Sequence, residues 1–221
     1  MENKQQNELG TKNISKLLFS MAVPAITAQI INLLYNLVDR MYIGHIPKVG
    51  ATALTAVGVT MPIIMVISAF AALVSMGGAP RSSIMMGKGD KDTAEKILGN
   101  CTTALVFISI TLTAVVLIFG EKMLMAFGAS ENTIKYALDY LNIYAFGTLF
   151  VQLALGLNAF ITAQGFAKMS MLTVLVGAVL NIILDPIFIF GFNMGVKGAA
   201  LATVISQGVS ALWVMKFLTG D

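Results

Sequence analysis

Charge is scarce in this chain of 221 residues: Asp, Glu, Lys and Arg together make up 11%, where a soluble domain carries roughly 25%. With 57% of residues hydrophobic, a globular core cannot hide the apolar side chains, and the excess must face lipid. Cysteine, histidine and tryptophan each occur once. A lone Cys101 excludes an internal disulfide and leaves the redox compartment unread. A lone His45 without a cysteine pair excludes the usual zinc ligand sets. A membrane enzyme would also lack the nucleophile, base or metal cluster its chemistry needs, so no catalytic residues are expected. No basic stripe is interleaved with aromatics, so the net charge of +3 does not point to nucleic acid. The polar lead from Met1 to Ser15 is long, and the apolar run behind it exceeds a signal-peptide core, which argues against a cleavable signal.

The few charges are unevenly placed. None falls in residues 17–38, 49–80, 97–120, 140–167 or 198–215, and 169–196 contain only Asp185. A spanning helix needs about 20 mostly apolar residues, and all six runs come close to or exceed that. Barrel strands would alternate apolar and polar over about 10 residues. These runs are continuously apolar and longer, so helices are expected. The reading is an all-α integral membrane protein: a cytoplasmic segment 1–16, then a six-helix lobe over 17–218. Its helices are placed near 17–43, 52–80, 94–119, 132–161, 169–191 and 197–217. No linker divides the chain. With the N-terminus inside, nine basic residues (Lys4, Lys12, Lys16, Arg81, Lys88, Lys91, Lys96, Lys168 and Lys216) lie on the cytoplasmic side. Five (Arg40, Lys48, Lys122, Lys135 and Lys197) lie outside. That bias predicts a multi-pass cell-membrane protein with both termini cytoplasmic.

Between the second and third runs, Gly87 and Gly89 break the helix, and Asp92 with Glu95 reads as a capping box. Ser130 reads as the N-cap of the fourth helix. Trp213, near the end of the sixth, suits an interfacial anchor or a packed aromatic equally.

Polar residues inside the runs carry the functional signal. Gln29, Asn32, Asn36 and Asp39 recur at spacings of three and four, with Tyr35 beside them, and so share one helix face. Lipid offers such a stripe no partners, so it should face protein or water. Asp39 has two readings: a residue ending the helix at the headgroups, or an intramembrane carboxylate, since apolar sequence resumes at Met41-Tyr42-Ile43. Asn181 and Asp185 are also four apart, and Pro186 removes a backbone donor and frees the carbonyl of Ile182. Carboxylate, amide and carbonyl are hard oxygen ligands suited to Na⁺ or a proton; a kinked helix with a structural hydrogen bond is the plainer reading. Thr203 and Gln207 on the sixth run, and Tyr140, Tyr144, Gln152 and Asn158 on the fourth, could join the site or could bond between helices as structure.

The stretch Val23-Pro24-Ala25 through Tyr35-Asn36-Leu37-Val38-Asp39 and Ile43-Gly44-His45 resembles the opening helix of multidrug and toxic compound extrusion (MATE) transporters. Asn181-Ile-Ile-Leu-Asp185-Pro186, then Gly195-Val-Lys-Gly198-Ala-Ala-Leu-Ala-Thr203 and Ser206-Gln207, resemble their fifth and sixth helices. The resemblance implies a secondary antiporter that expels cationic or amphipathic small molecules in exchange for H⁺ or Na⁺ and needs no other cofactor. It implies a cation site at Asp39, Asn181 and Asp185, the positions where Na⁺ would bind, joined by Thr203 and, one turn earlier, Ala199. Tyr35 and Asn158 match cavity-lining positions, with Asn32 and Asn36 on the same stripe; the family's tyrosine on the fourth helix is Tyr140 or Tyr144. Members have twelve helices in two lobes, whereas six are expected here, as in an N-terminal lobe. A second lobe, from a second copy or a separate C-terminal half, is therefore an expected partner. A lipid-linked oligosaccharide flippase would need basic residues in the cavity, and a non-transporting subunit would leave two buried carboxylates unexplained.

Overall fold

A computed structural model describes residues 13–220. Residues 1–12, which include Lys4, Lys12 and most of the segment 1–16, lie outside the described part. The described residues fold as six helices long and apolar enough to cross a membrane: α1 (Ile14–Gly44), α2 (Gly50–Gly87), α3 (Lys91–Ala126), α4 (Ile134–Ala163), α5 (Ala167–Pro186) and α6 (Val196–Thr219). A π-helical turn, Ile187–Gly191, prolongs α5. There is no strand among the described residues. At 38 and 36 residues, α2 and α3 rise well over 50 Å, at roughly 1.5 Å per residue. They therefore extend past a hydrocarbon core about 30 Å thick.

Local chemistry sets the helix ends, in two places differently from the sequence reading. Asp92 and Glu95 form no capping box: α3 starts at Lys91, with Asp90 as N-cap accepting from the Thr93 amide at 3.0 Å. Two residues ahead of the expected cap, Asp90 places its carboxylate where the first free N–H groups point. Ser130 does not cap α4. Residues 131–133 form a turn, Thr133 takes the N-cap position, and its hydroxyl turns back to accept from the Ser130 amide at 2.9 Å. The α2–α3 turn passes through Gly89 at φ +82°, a conformation that favours glycine. At the end of α1, His45 Nδ1 lies 2.7 Å from the Met41 carbonyl.

Packing is centred on α4, which lies against α2, α3 and α6, while α1 rests chiefly on α5. Close approaches depend on missing side chains. A Cβ on Gly198 would sit 2.7 to 2.9 Å from the backbone of Phe188 and Ile189, so α6 can begin flush against the π-helical turn only because that position is glycine. Tyr42 meets Phe190 edge to face, with centroids 6.3 Å apart, and holds the end of α1 to the same turn. That double clamp fixes the level at which α1 and α5 present their polar residues to each other.

Candidate functional site

Three of α1's residues are buried: Pro24, Asp39 and Ile43. Asp39 is only 7% exposed, so the helix carries its carboxylate inward and does not end at it. Asp185, on α5, is fully buried, and its carboxyl lies directly beside that of Asp39. Among the described residues the ion pair is Lys197–Asp139, at 3.3 Å near the surface; neither buried carboxylate belongs to it. Asp39 Oδ1 and Asp185 Oδ2 are buried oxygens without a hydrogen-bond partner. Removing a charged carboxylate from water costs several kcal/mol even after relaxation, and like charge at contact adds to that. One proton or one alkali cation between the two would relieve both costs.

Asn181, one turn before Asp185, links the pair to α6. Its Nδ2 donates to Asp185 Oδ1 at 3.3 Å and to Thr203 Oγ1 at 3.4 Å, while its Oδ1 is buried without a partner. The Tyr140 side chain reaches Thr203 and lies near Asp39, whereas Tyr144 stacks on Tyr140 with centroids 6.2 Å apart. Of the two tyrosines on α4, Tyr140 meets the site.

Beyond Asn181 lies a cavity of about 60 Å³. Asn32, Tyr35, Asn158, Asn181 and Thr203 line it. Asp39 and Asp185 do not; they sit past Asn181, one turn further along α5. Asn36, Tyr140, Tyr144 and Ala199 lie outside the lining too. Asn36 instead spends its amide on the Asn32 carbonyl at 2.6 Å, and Ala199 is packed at zero exposure. Gln29 is exposed, so the stripe on α1 turns inward only over its later turns. Gln152 is buried elsewhere, donating to the Ile67 carbonyl at 2.8 Å between α4 and α2.

The cavity also draws in Thr173, Gly177 and Ser210, not singled out from the sequence, and Ser206, named there only within a motif. A signal was present. Thr173, Gly177, Asn181 and Asp185 recur every fourth residue on α5, as do Ser206 and Ser210 on α6. Single hydroxyls in a spanning helix usually bond their own backbone, which hid the pattern. At about 60 Å³ the space holds water or a small ion and is far below the roughly 300 Å³ at which drug-sized pockets begin.

The MatE family model matches residues 24–187. The multidrug export protein MepA of Staphylococcus haemolyticus (strain JCSC1435) is 28% identical over 219 residues, covering 99% of this chain and 48% of that protein. MepA of Staphylococcus aureus (strain NCTC 8325 / PS 47) is 27% identical over 218 residues, covering 96% and 47%. The crystal structure described as MATE in the straight conformation superposes with a TM-score of 0.87 at 27% identity, covering 96% of this chain and 46% of that one. An outward-facing multidrug resistance MATE family transporter of the MOP superfamily gives the same four values. The chain spans about half the length of the curated relatives it matches.

Proposed function

This chain belongs to the MatE family, and from that premise we propose that it is the cation-coupled lobe of a secondary efflux antiporter, exchanging H⁺ or Na⁺ for cationic or amphipathic small molecules. The observation that carries the proposal is the pair Asp39 and Asp185, buried side by side on α1 and α5 with an oxygen each unpartnered. Ionisable residues buried in a spanning bundle are costly there, and ion and proton pathways are among the uses that offset the cost. The pair is neutral enough to be stable only with a cation bound, so its occupancy sets the charge of the lobe. A bound cation favours the arrangement in which α1 stays clamped on α5, and loss of it favours separation. A conformational change can be driven only by such a difference in binding between states. Asn181 and Thr203 act as neutral oxygen and amide partners, Tyr140 closes the site from α4, and Tyr35, Asn32 and Asn158 face the adjoining cavity.

The cavity inside the lobe is too small for the multidrug cargo, so cargo binds against a larger surface that a second lobe completes, either a second copy or a separate half. The lobe sits in the cell membrane with both termini cytoplasmic, on the excess of basic residues that this orientation leaves inside.

The test is efflux of a fluorescent cation such as ethidium from cells expressing the chain. Asp39→Asn and Asp185→Asn should each abolish gradient-driven efflux at unchanged membrane level, Asn181→Ala should weaken it less, and the double aspartate variant should be hardly worse than either single one. Normal pH- or Na⁺-driven efflux in either single variant overturns the proposal. Mass measurement in mild detergent should show a dimer or hetero-complex, and a transporting monomer would remove the second lobe from the scheme.

A further inference from the structure

The cavity follows the seam between α5 and α6. On α5 its lining runs from Asn181 to Thr173, eight residues or about 12 Å of helical rise. On α6 the facing residues run the other way, Thr203, Ser206, Gln207 and Ser210. Three buried polar atoms along it have no partner: Asn181 Oδ1, Ser206 Oγ and Asn158 Oδ1. Ser206 and Asn181 are 3% and 2% exposed, so their orphaned atoms cannot be satisfied by bulk solvent. An orphaned buried oxygen costs about 1–3 kcal/mol, and three such atoms around one space are a strong requirement for water. A water needs at least 10–15 Å³ of such space and two to four polar partners. A volume of about 60 Å³ therefore takes on the order of four waters, and at roughly 2.8 Å between neighbours four in a line cover most of the distance from Thr173 to Asn181.

One end is closed. Ser210 Oγ donates to the Thr173 carbonyl at 3.3 Å, and one turn further along α6 Val214 is packed at zero exposure. The side facing α1 and α4 is open: Leu155, 44% exposed, forms part of the rim with Asn32 and Tyr35. Gly177 stands at the closed end, where a Cβ would strike Ser210 Oγ; glycine there preserves the space.

We infer that this cavity holds a single file of ordered waters between α5 and α6, opening between α1 and α4 and ending at the Thr173–Ser210 bond. It is the aqueous route by which the Asp39–Asp185 pair exchanges its coupling ion. The ion-exchange role rests on the function proposed above; the water file rests on the geometry alone. The route is lined by neutral groups, so it offers an ion no binding charge of its own before the carboxylates. Its closed end separates the pair from the end of the lobe where α6 terminates.

Silver-ion protection of single cysteines tests this without requiring transport. In a Cys101→Ala background, Ser206→Cys and Val174→Cys place thiols along the file. Val214→Cys lies beyond the closed end, and Leu212→Cys, at a position 66% exposed on the helix exterior, serves as the membrane-facing control. Membrane vesicles are treated with Ag⁺, a monovalent cation small enough to follow single-file water, and unprotected thiols are then counted with a maleimide after denaturation. The two file cysteines should be protected at least tenfold faster than those at 212 and 214. Two file thiols no faster than 212 would overturn the water file. Protection at 214 as fast as at 206 would overturn the closed end and make the route continuous. Loss of efflux sensitivity at Asp39 with the file thiols still protected would remove the antiporter reading and leave the water file standing.

Discussion

Two helices of nearly equal length show how differently one apolar pattern can be used. Both α1, with 31 residues, and α4, with 30, are apolar enough to cross a bilayer, yet α4 buries fifteen residues and α1 three. Hydropathy fixes only that each can span. The difference lies in small residues: Gly147 and Gly156 of α4 stand where a Cβ would press on Val204 and Leu105, so α6 and α3 approach closely there. Before its last residue, Gly44, α1 has no glycine, and Leu33, Leu37 and Met41 remain more than half exposed. The polar residues divide the same way. Gln152 on α4 is buried in a helix–helix contact and bonds a neighbouring carbonyl, whereas Asp39 on α1 is buried at the one place where that sparse helix closes on another carboxylate. Gln152 is buried by the crowding around its helix, whereas Asp39 is buried on a nearly bare helix by one local contact.

The sharpest way to break that contrast is to remove one buried polar group from each helix. Asp39→Asn should lower gradient-driven ethidium efflux to background while thermal unfolding in detergent stays within a few degrees. Gln152→Leu should leave efflux per folded molecule near normal but cost about 1 kcal/mol, because the interhelix bond to the Ile67 carbonyl is lost while that carbonyl keeps its own helical donor. Efflux assays paired with unfolding temperatures read both. Equal loss of efflux in the two variants, with membrane levels matched, would dissolve the distinction between the two helices.

Apolar side chains give a smaller effect of the same kind. Phe160 on α4 is 1% exposed and Leu33 on α1 is 71% exposed. Phe160→Ala should cost about 3 kcal/mol or more through the cavity it leaves, a loss of several degrees in detergent. Leu33→Ala should stay within about 0.5 kcal/mol, as surface positions do. If Leu33→Ala instead lowers the mass of the assembled species, the exposed stripe on α1 is a contact with the second lobe and not with lipid.

How much of this was legible beforehand follows from which forces act locally. The six helices were readable because lipid excludes charge, and runs without charge are plain in a sequence. Asp39, Asn181 and Asp185 stood out for the same reason in reverse, since a carboxylate in an apolar run has few structural uses. The helix caps were less legible: Asp90 rather than Asp92 starts α3 because the choice depends on where the Gly89 turn releases the chain. The closed end of the cavity was the least legible. Thr173, Ser206 and Ser210 are ordinary hydroxyls in spanning helices, and only the approach of α5 to α6 at Gly177 makes a common space of them. The inner face of α4 was open between Tyr140 and Tyr144 because both lie one turn apart on the same side, and only the position of Thr203 on the neighbouring α6 separates them.

The smallest effect contrasts the starts of α1 and α3. The cap of α1 is the neutral Asn13, whose side chain accepts from the Ser15 amide at 3.1 Å. The cap of α3 is a carboxylate, and hydrogen bonding by Thr93 holds the Asp90 carboxyl below its usual range. A carboxyl whose folded pKa is depressed contributes stability that is present above its unfolded pKa, about 3.9. That contribution is lost as pH falls through the lower folded value. From pH 7 to about 5 the start of α3 should therefore be unchanged, and below about pH 4 its first turn should loosen. Amide hydrogen exchange over Thr93 to Glu95, corrected for intrinsic rates, should accelerate there, while exchange at Ser15 should not. Asp90→Asn keeps an effective cap with no proton to lose, so it should abolish the acid dependence and leave the neutral-pH exchange nearly as it was. Persistence of the acid-induced loosening in Asp90→Asn would assign it to Asp92 or Glu95 and remove the carboxylate cap from the comparison.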